Sequence, residues 1–218
     1  MSRNFTAASS QYLYSNLPIL GATARPCTFH CWFLPVTATD NGVLMMSLTA
    51  GTTNWRQLGL RSSDGKLGAQ ERELAGASGI ATSTGVLTNG VWAACGAVWT
   101  SAASRTVWLN GAKDTNTDAV ALTDSFDTFR IGGQANYATG DIAEAAAWNV
   151  GLDDAEMVAL AKGYSPDMIR PAAHVAYWKL FGNAASEADY WKNKYDLAIV
   201  NAPAKAAHPR IYYPTGAF

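Results

Sequence analysis

The stretch Arg105-Thr-Val-Trp-Leu-Asn-Gly111 decides the reading of this chain. β-Branched and aromatic residues favour a pleated strand. The Asn110-Gly111 pair that ends it tolerates positive φ at both positions, which is what a two-residue hairpin turn requires. Ser63-Asp-Gly65 repeats the signal further up the chain. Working outward, turn residues recur at short intervals, and the segments between them read as strands at about residues 28–35, 43–49, 55–61, 66–70, 91–100, 105–110, 128–132, 142–149 and 175–180. Consecutive strands joined by tight turns build a meander, and Greek-key crossings complete a two-sheet sandwich.

One helix interrupts the pattern. Asp153 as N-cap and Glu156 three residues later form a capping box, Leu152 and Met157 take the staple positions, and Gly163 follows the last turn. The helix is predicted over about residues 154–162, packed on the sandwich edge through Met157, Leu160 and Ala161.

The chain has 218 residues, of which 49% are apolar, with 8 Trp, 9 Tyr and 7 Phe. That is enough to bury a sizeable core and excludes wholesale disorder. Only 15% of the residues are charged, 16 basic against 17 acidic. A nucleic-acid protein needs concentrated basic residues to replace phosphate counterions, so that class is excluded. A surface of Ser, Thr, Asn, Gly and Ala has little charge repulsion to oppose association, and suits a subunit packed among neighbours, likewise an alanine-rich composition.

The amino terminus lacks a basic region followed by an apolar stretch, and no segment approaches the roughly 20 apolar residues that cross a bilayer. The expectation is a protein without a secretory signal or membrane insertion, made in a cytoplasm. Cys27 and Cys31 lie four residues apart on one strand, about 13 Å, beyond the roughly 7 Å a disulfide spans. With Cys95 the count is odd and no second pair completes a zinc site, so three buried thiols are expected.

Beyond residue 165 the composition shifts towards Pro and aromatic residues, ending in His208-Pro-Arg-Ile-Tyr-Tyr-Pro-Thr-Gly-Ala-Phe218. The chain divides at 1–165, a sandwich, and 166–218, a C-terminal extension within what is one domain overall. That arm either wraps over its own sandwich or docks on a neighbouring subunit, with Ile211, Tyr212, Tyr213 and Phe218 as the contact candidates.

The order Phe5, Gln11-Tyr-Leu13, Thr28-Phe-His-Cys-Trp-Phe-Leu-Pro35, Val91-Trp92, Val107-Trp-Leu-Asn-Gly111, Phe129-Arg-Ile-Gly-Gly133, Gly140-Asp-Ile-Ala-Glu144 and Ala147-Trp-Asn149 resembles the laminin-G-like, concanavalin A-like lectin and glucanase fold over about residues 3–163. The resemblance implies an all-β, two-sheet antiparallel jelly-roll sandwich with one short helix and an extended C-terminal arm. The continuation Gly163-Tyr-Ser-Pro-Asp-Met-Ile-Arg-Pro171, Val175-Ala-Tyr-Trp-Lys-Leu180 and His208-Pro209 resembles the version of this fold carried by tailed bacteriophages as virion proteins.

Function must be argued from a site, because this fold hosts catalysts and non-catalytic modules alike. Retaining glucanases place carboxylates about 5 Å apart on one face. Asp141 and Glu144, three apart, fall on opposite faces of a strand. Glu71 and Glu73 alternate but read as a solvated edge. No Gly-x-Ser-x-Gly elbow and no phosphate-cradling loop is present, so no enzyme is expected. For Ca²⁺, Asp114, Asn116 and Asp118 supply oxygens at alternate positions of what reads more simply as a solvated loop, with Asp40 a second weak candidate. For a glycan, Trp55 beside Asn54 and Tyr137 beside Asn136 are aromatics with amide neighbours at strand ends, whereas Trp32, Trp92 and Trp148 are predicted core. The leading expectation is a non-enzymatic virion protein, a head decoration or fibre subunit forming homo-oligomers and binding neighbouring virion proteins, with host-polysaccharide adhesion as an extra. The alternative is a carbohydrate-binding lectin module, and a glycoside hydrolase comes third.

Overall fold

The computed structural model describes residues 2–20, 25–38, 42–49, 54–61, 63–73, 76–122, 126–181 and 186–213. The candidates Asp40 and Phe218 lie outside them. Sixteen strands are described, β1 (Ser2–Phe5), β2 (Tyr12–Ser15), β3 (Cys27–Pro35), β4 (Val43–Leu48), β5 (Trp55–Leu60), β6 (Lys66–Arg72), β7 (Ser78–Val86), β8 (Ala93–Ser101), β9 (Ser104–Leu109), β10 (Ala112–Asn116), β11 (Thr128–Ile131), β12 (Gly140–Trp148), β13 (His174–Trp178), β14 (Ser186–Glu187), β15 (Leu197–Val200) and β16 (Ala204–Ala206). They form two antiparallel sheets. The first runs β10-β9-β8-β3-β12-β1-β16, and the second β14-β15-β2-β11-β4-β5-β6-β7. In the first, β1 and β13 share one edge of β12 end to end, β1 on its first half and β13 on its second. The residues after 165 therefore add strands to both sheets.

Alternation fills the space between the sheets. Phe5, Leu13, Phe29, Phe33, Leu58, Leu67, Trp99, Phe129, Ile131 and Trp178 all point inward and are almost completely buried. Phe29 meets Trp99 and Phe129 edge-on at 5.1 and 5.4 Å, and Phe129 stacks on Trp178 at 5.2 Å. Each such side chain contributes roughly 1.5–3 kcal/mol of burial free energy. Cys27, Cys31 and Cys95 are free and buried as predicted, and burial pushes all three thiols up.

The predicted helix is α1 (Asp154–Ala161), with the reciprocal Asp153–Glu156 capping box in place. It lies not on the sandwich edge but across the outer face of the first sheet. There Leu152, Met157 and Leu160 bury Val98, Trp108 and Trp148. Trp148 is core as expected, while Trp32 and Trp92 are only half-buried. No described helix is long and apolar enough to cross a membrane.

Glu71, expected on a solvated edge, and Glu144 are both inside. Glu71 is fully buried and binds Arg56 at 2.7 Å, Arg25 at 3.0 Å and Arg105 at 3.4 Å. Arg56 lies over the rings of Phe126 and Trp99. Gly79 lets the Arg105 guanidinium reach this cluster, since a Cβ there would overlap it. Glu71 faces inward because its neighbours Gln70 and Arg72 face out, so it forms no solvated edge. Glu144 is also fully buried. It sits with φ +53° in a β-bulge of β12 between Ala143 and Ala146. A bulge breaks the period of two. It carries the Glu144 carboxylate to the outer side that Asp141 occupies, where Tyr177 of β13 donates to it, so the opposite-face expectation fails.

Candidate functional site

The outer face of the second sheet is built from the residues that alternate with the core. Register places Tyr14, Arg130, Met46, Gln57 and Gln70 in one cross-strand row over β2, β11, β4, β5 and β6. A second row runs through Thr128, Leu48, Trp55 and Arg72. Side chains directly opposite one another on such a face touch. Here Val43, Met46 and Leu48 form a small apolar floor against which half-buried Trp55 packs. Next to it Gln57 Nε2 donates to Gln70 Oε1 at 3.3 Å.

The segment after β11 makes the wall. Gly132 and Gly133 take φ values of +90° and +131°, which other residues rarely adopt. They turn the chain so that Val43 N–H donates to Asn136 C=O at 3.2 Å and Tyr137 bridges to both Gly133 and Val43. Gln134, Ala135 and Asn136 are left exposed over the floor. Together they bound a groove of about 310 Å³ lined by Val43, Met46, Leu48, Trp55, Gln57, Arg72, Gln134, Ala135 and Asn136. Beyond Asn136, Tyr137 lies 6.1 Å from Tyr12, whose other neighbour Tyr14 is at 5.9 Å. The Arg130 guanidinium lies 4.9 Å from the Tyr12 ring.

Chemically this is a surface of flat apolar faces beside amide and guanidinium donors, with no carboxylate among the described lining residues. Such a surface can hold a polyhydroxylated ring by stacking and hydrogen bonding. A pair of acids for glycoside hydrolysis is not offered there.

Residues 8–157 match the family described as the concanavalin A-like lectin/glucanases superfamily, Laminin_G_3. The chain belongs to this superfamily. No curated protein matches it by sequence. Among solved structures of the same fold, a putative carbohydrate binding protein from Bacteroides ovatus has a TM-score of 0.64 at 18% identity, covering 94% of this chain and 61% of that one. The native heptameric SAP-like pentraxin from Limulus polyphemus has a TM-score of 0.56 at 17% identity, covering 69% and 75%. Domain 4 of AbnA, a GH43 extracellular arabinanase from Geobacillus stearothermophilus solved in complex with arabinotriose, has a TM-score of 0.53 at 16% identity, covering 62% and 66%.

Within this lectin-like fold, Trp55 and Asn136 meet in one groove and Tyr137 flanks it. Asn54 does not join them. It is fully buried and its C=O accepts from Thr49 N–H. Sequence reasoning missed Gln57, Arg72, Gln134, Tyr12, Tyr14 and Arg130. The obstacle is an inverted pattern in β5, where Trp55 faces out and Arg56 faces in. Gln57 and Arg72 become legible only once Glu71 is known to be inside.

The three oxygen residues proposed for calcium serve the edge of the first sheet. Asp114 and Asn116 lie on β10, a strand and not a loop. Asp114 accepts from Thr84 N–H at 2.7 Å and Thr84 O–H at 2.9 Å, while Asn116 Oδ1 accepts from Arg105 and its Nδ2 donates to Asp118 at 2.8 Å. No cluster of three or more His, Cys, Asp or Glu suited to a metal occurs among the described residues.

The C-terminal arm closes on its own sandwich. Tyr212 pairs with the backbone of Gly163 and Ser165, and Tyr213 O–H donates to Glu144 at 2.8 Å beside His208 Nε2 at 2.9 Å. Burial and the facing Glu144 carboxylate push both Tyr177 and Tyr213 hydroxyls up. Ile211 is half-buried, and the Tyr212 ring stays exposed.

Proposed function

We propose that this chain is a non-catalytic carbohydrate-binding module that holds an oligosaccharide against the outer face of its second sheet. The observation that carries this is the groove in which Trp55 stands over an apolar floor among Gln57, Arg72, Gln134 and Asn136. Sugar rings present an apolar face and an equatorial ring of hydroxyls, which matches an indole flanked by amides. The fold relatives support the reading, since one is described as a putative carbohydrate binding protein and another was solved with arabinotriose. Calorimetric titration with a panel of neutral and acidic oligosaccharides tests it. Saturable binding should weaken about tenfold or more in Trp55→Ala, equal to about 1.4 kcal/mol, in a variant that still unfolds in one cooperative transition. Absence of binding across the panel, or binding indifferent to Trp55, would overturn it.

A second reading, a virion subunit, draws on exposed Val36, Val86 and Val91. Gly90 N–H donates to Pro35 C=O at 2.8 Å and so gathers these residues at one end of the sandwich. Sparse charge leaves that apolar end free to associate. Of the arm residues first expected to touch neighbouring subunits, Tyr213 is engaged by Glu144 and the Tyr212 ring stays exposed. Imaging of native particles decides this reading, and particles lacking the chain would exclude it.

A further inference from the structure

Six arginines of this chain sit on carboxylates. Arg3 pairs with Glu187, Arg25, Arg56 and Arg105 share Glu71, Arg61 meets Asp64, and Arg170 meets Asp153 and Glu156. Of the other three, Arg72, Arg130 and Arg210, none pairs with a carboxylate among the described residues, and Arg72 and Arg130 both stand on the face that carries the groove. Arg72 is exposed and lines the groove itself. Arg130 is half-buried, its guanidinium carbon 4.9 Å from the centre of the Tyr12 ring, with its Nε shut off from water and donating to no group. In a protein with few charges, two unpaired guanidiniums on one sheet face, around a groove without a lining acid, form a local positive field.

Register fixes their spacing. Arg130 on β11 and Arg72 on β6 are three strands apart and offset by two residues, which is about 14 Å across the strands and about 7 Å along them. One small anion cannot touch both. A chain laid across the strands can, crossing Met46, Gln57 and Trp55 between the two cations. Guanidinium forks match carboxylate and sulfate oxygens in bidentate geometry.

We infer that the groove is built for an anionic oligosaccharide, one bearing carboxylate or sulfate groups on separated units, with Arg72 and Arg130 as its two charge-reading residues and Trp55 as the stacking platform between. This rests on the carbohydrate-binding reading above and goes further by naming the ligand class. The source of the charge is left to two arms of one experiment. In the first, oligogalacturonate is titrated against its neutral methyl ester. In the second, dextran sulfate oligosaccharides are titrated against unsulfated dextran, with neutral arabinan and galactan fragments alongside.

At low salt the acidic member of at least one pair should bind about tenfold more tightly than its neutral partner, and the gap should close as salt rises, because exposed charges are screened. Arg72→Gln and Arg130→Gln should each shrink that gap between acidic and neutral ligands about threefold or more. Trp55→Ala should weaken acidic and neutral ligands together. Should a variant fail to fold, the salt dependence of the unaltered protein still decides. Neutral sugars binding as tightly as acidic ones, or a preference indifferent to both salt and the arginines, would overturn the inference while leaving the carbohydrate reading intact. No binding by any member of either arm would overturn both.

Discussion

Glu71 illustrates how far a single side chain can mislead when charge is assumed to lie outside. Three guanidiniums surround this one carboxylate in the core, and two of them, Arg56 and Arg105, are fully buried. Such a cluster need not exceed a well-packed apolar core in stability, but removing Glu71, its one anion among the described residues, strands buried cations. Glu71→Ala should therefore cost about 3–5 kcal/mol in chemical denaturation, far more than loss of an exposed acid. A change under about 1 kcal/mol would contradict the buried network. At the same scale, the sequence singled out Trp55 and Asn136, which line the groove, and Tyr137, which flanks it. Asn54 was not distinguishable from them, since adjacency in sequence does not say which way a strand residue points.

At the scale of elements, local chemistry read well and long-range chemistry did not. Helix α1 was legible because its cap, its staple and its terminating Gly163 all lie within a few residues. The Asn110-Gly111 hairpin was legible for the same reason. Strand β7, Ser78-Gly-Ile-Ala-Thr-Ser-Thr-Gly-Val86, was not, because small polar residues give little alternation and its pairing with β6 supplies the order. The bulge at Glu144 could not be read either, as it forms where β1 gives way to β13 along β12. Histidines on two of these strands set a pH limit. Burial pulls the rings of His30 on β3 and His174 on β13 from 6.5 down to about 3. The unfolded chain thus binds more protons between those values, and stability falls as pH drops below 6.5. From pH 7.5 to 5.0 the loss should be roughly 2 kcal/mol per histidine, visible as a falling urea midpoint. A midpoint flat over that range would contradict neutral, buried rings.

For the whole molecule, an all-β jelly roll was legible from turn spacing and from the order of aromatic landmarks, because both follow from how a sandwich alternates. The location of its site was not, because the groove draws on β4, β5, β6 and the segment after β11, which are brought side by side only by the sheet order. The C-terminal arm, free to close or to dock elsewhere on sequence grounds, closes on Glu144 and leaves the opposite sheet face open. On this sparsely charged surface, two unpaired arginines stand on the groove face among the described residues. The most direct test of this account is a ¹⁵N nuclear magnetic resonance titration with the tightest oligosaccharide of the panel. The account predicts that shift changes concentrate on the Trp55 indole N–H and the side-chain amides of Gln57, Gln134 and Asn136. Changes confined to the Val36, Val86 and Val91 end of the sandwich, or to the arm around Tyr213, would contradict it.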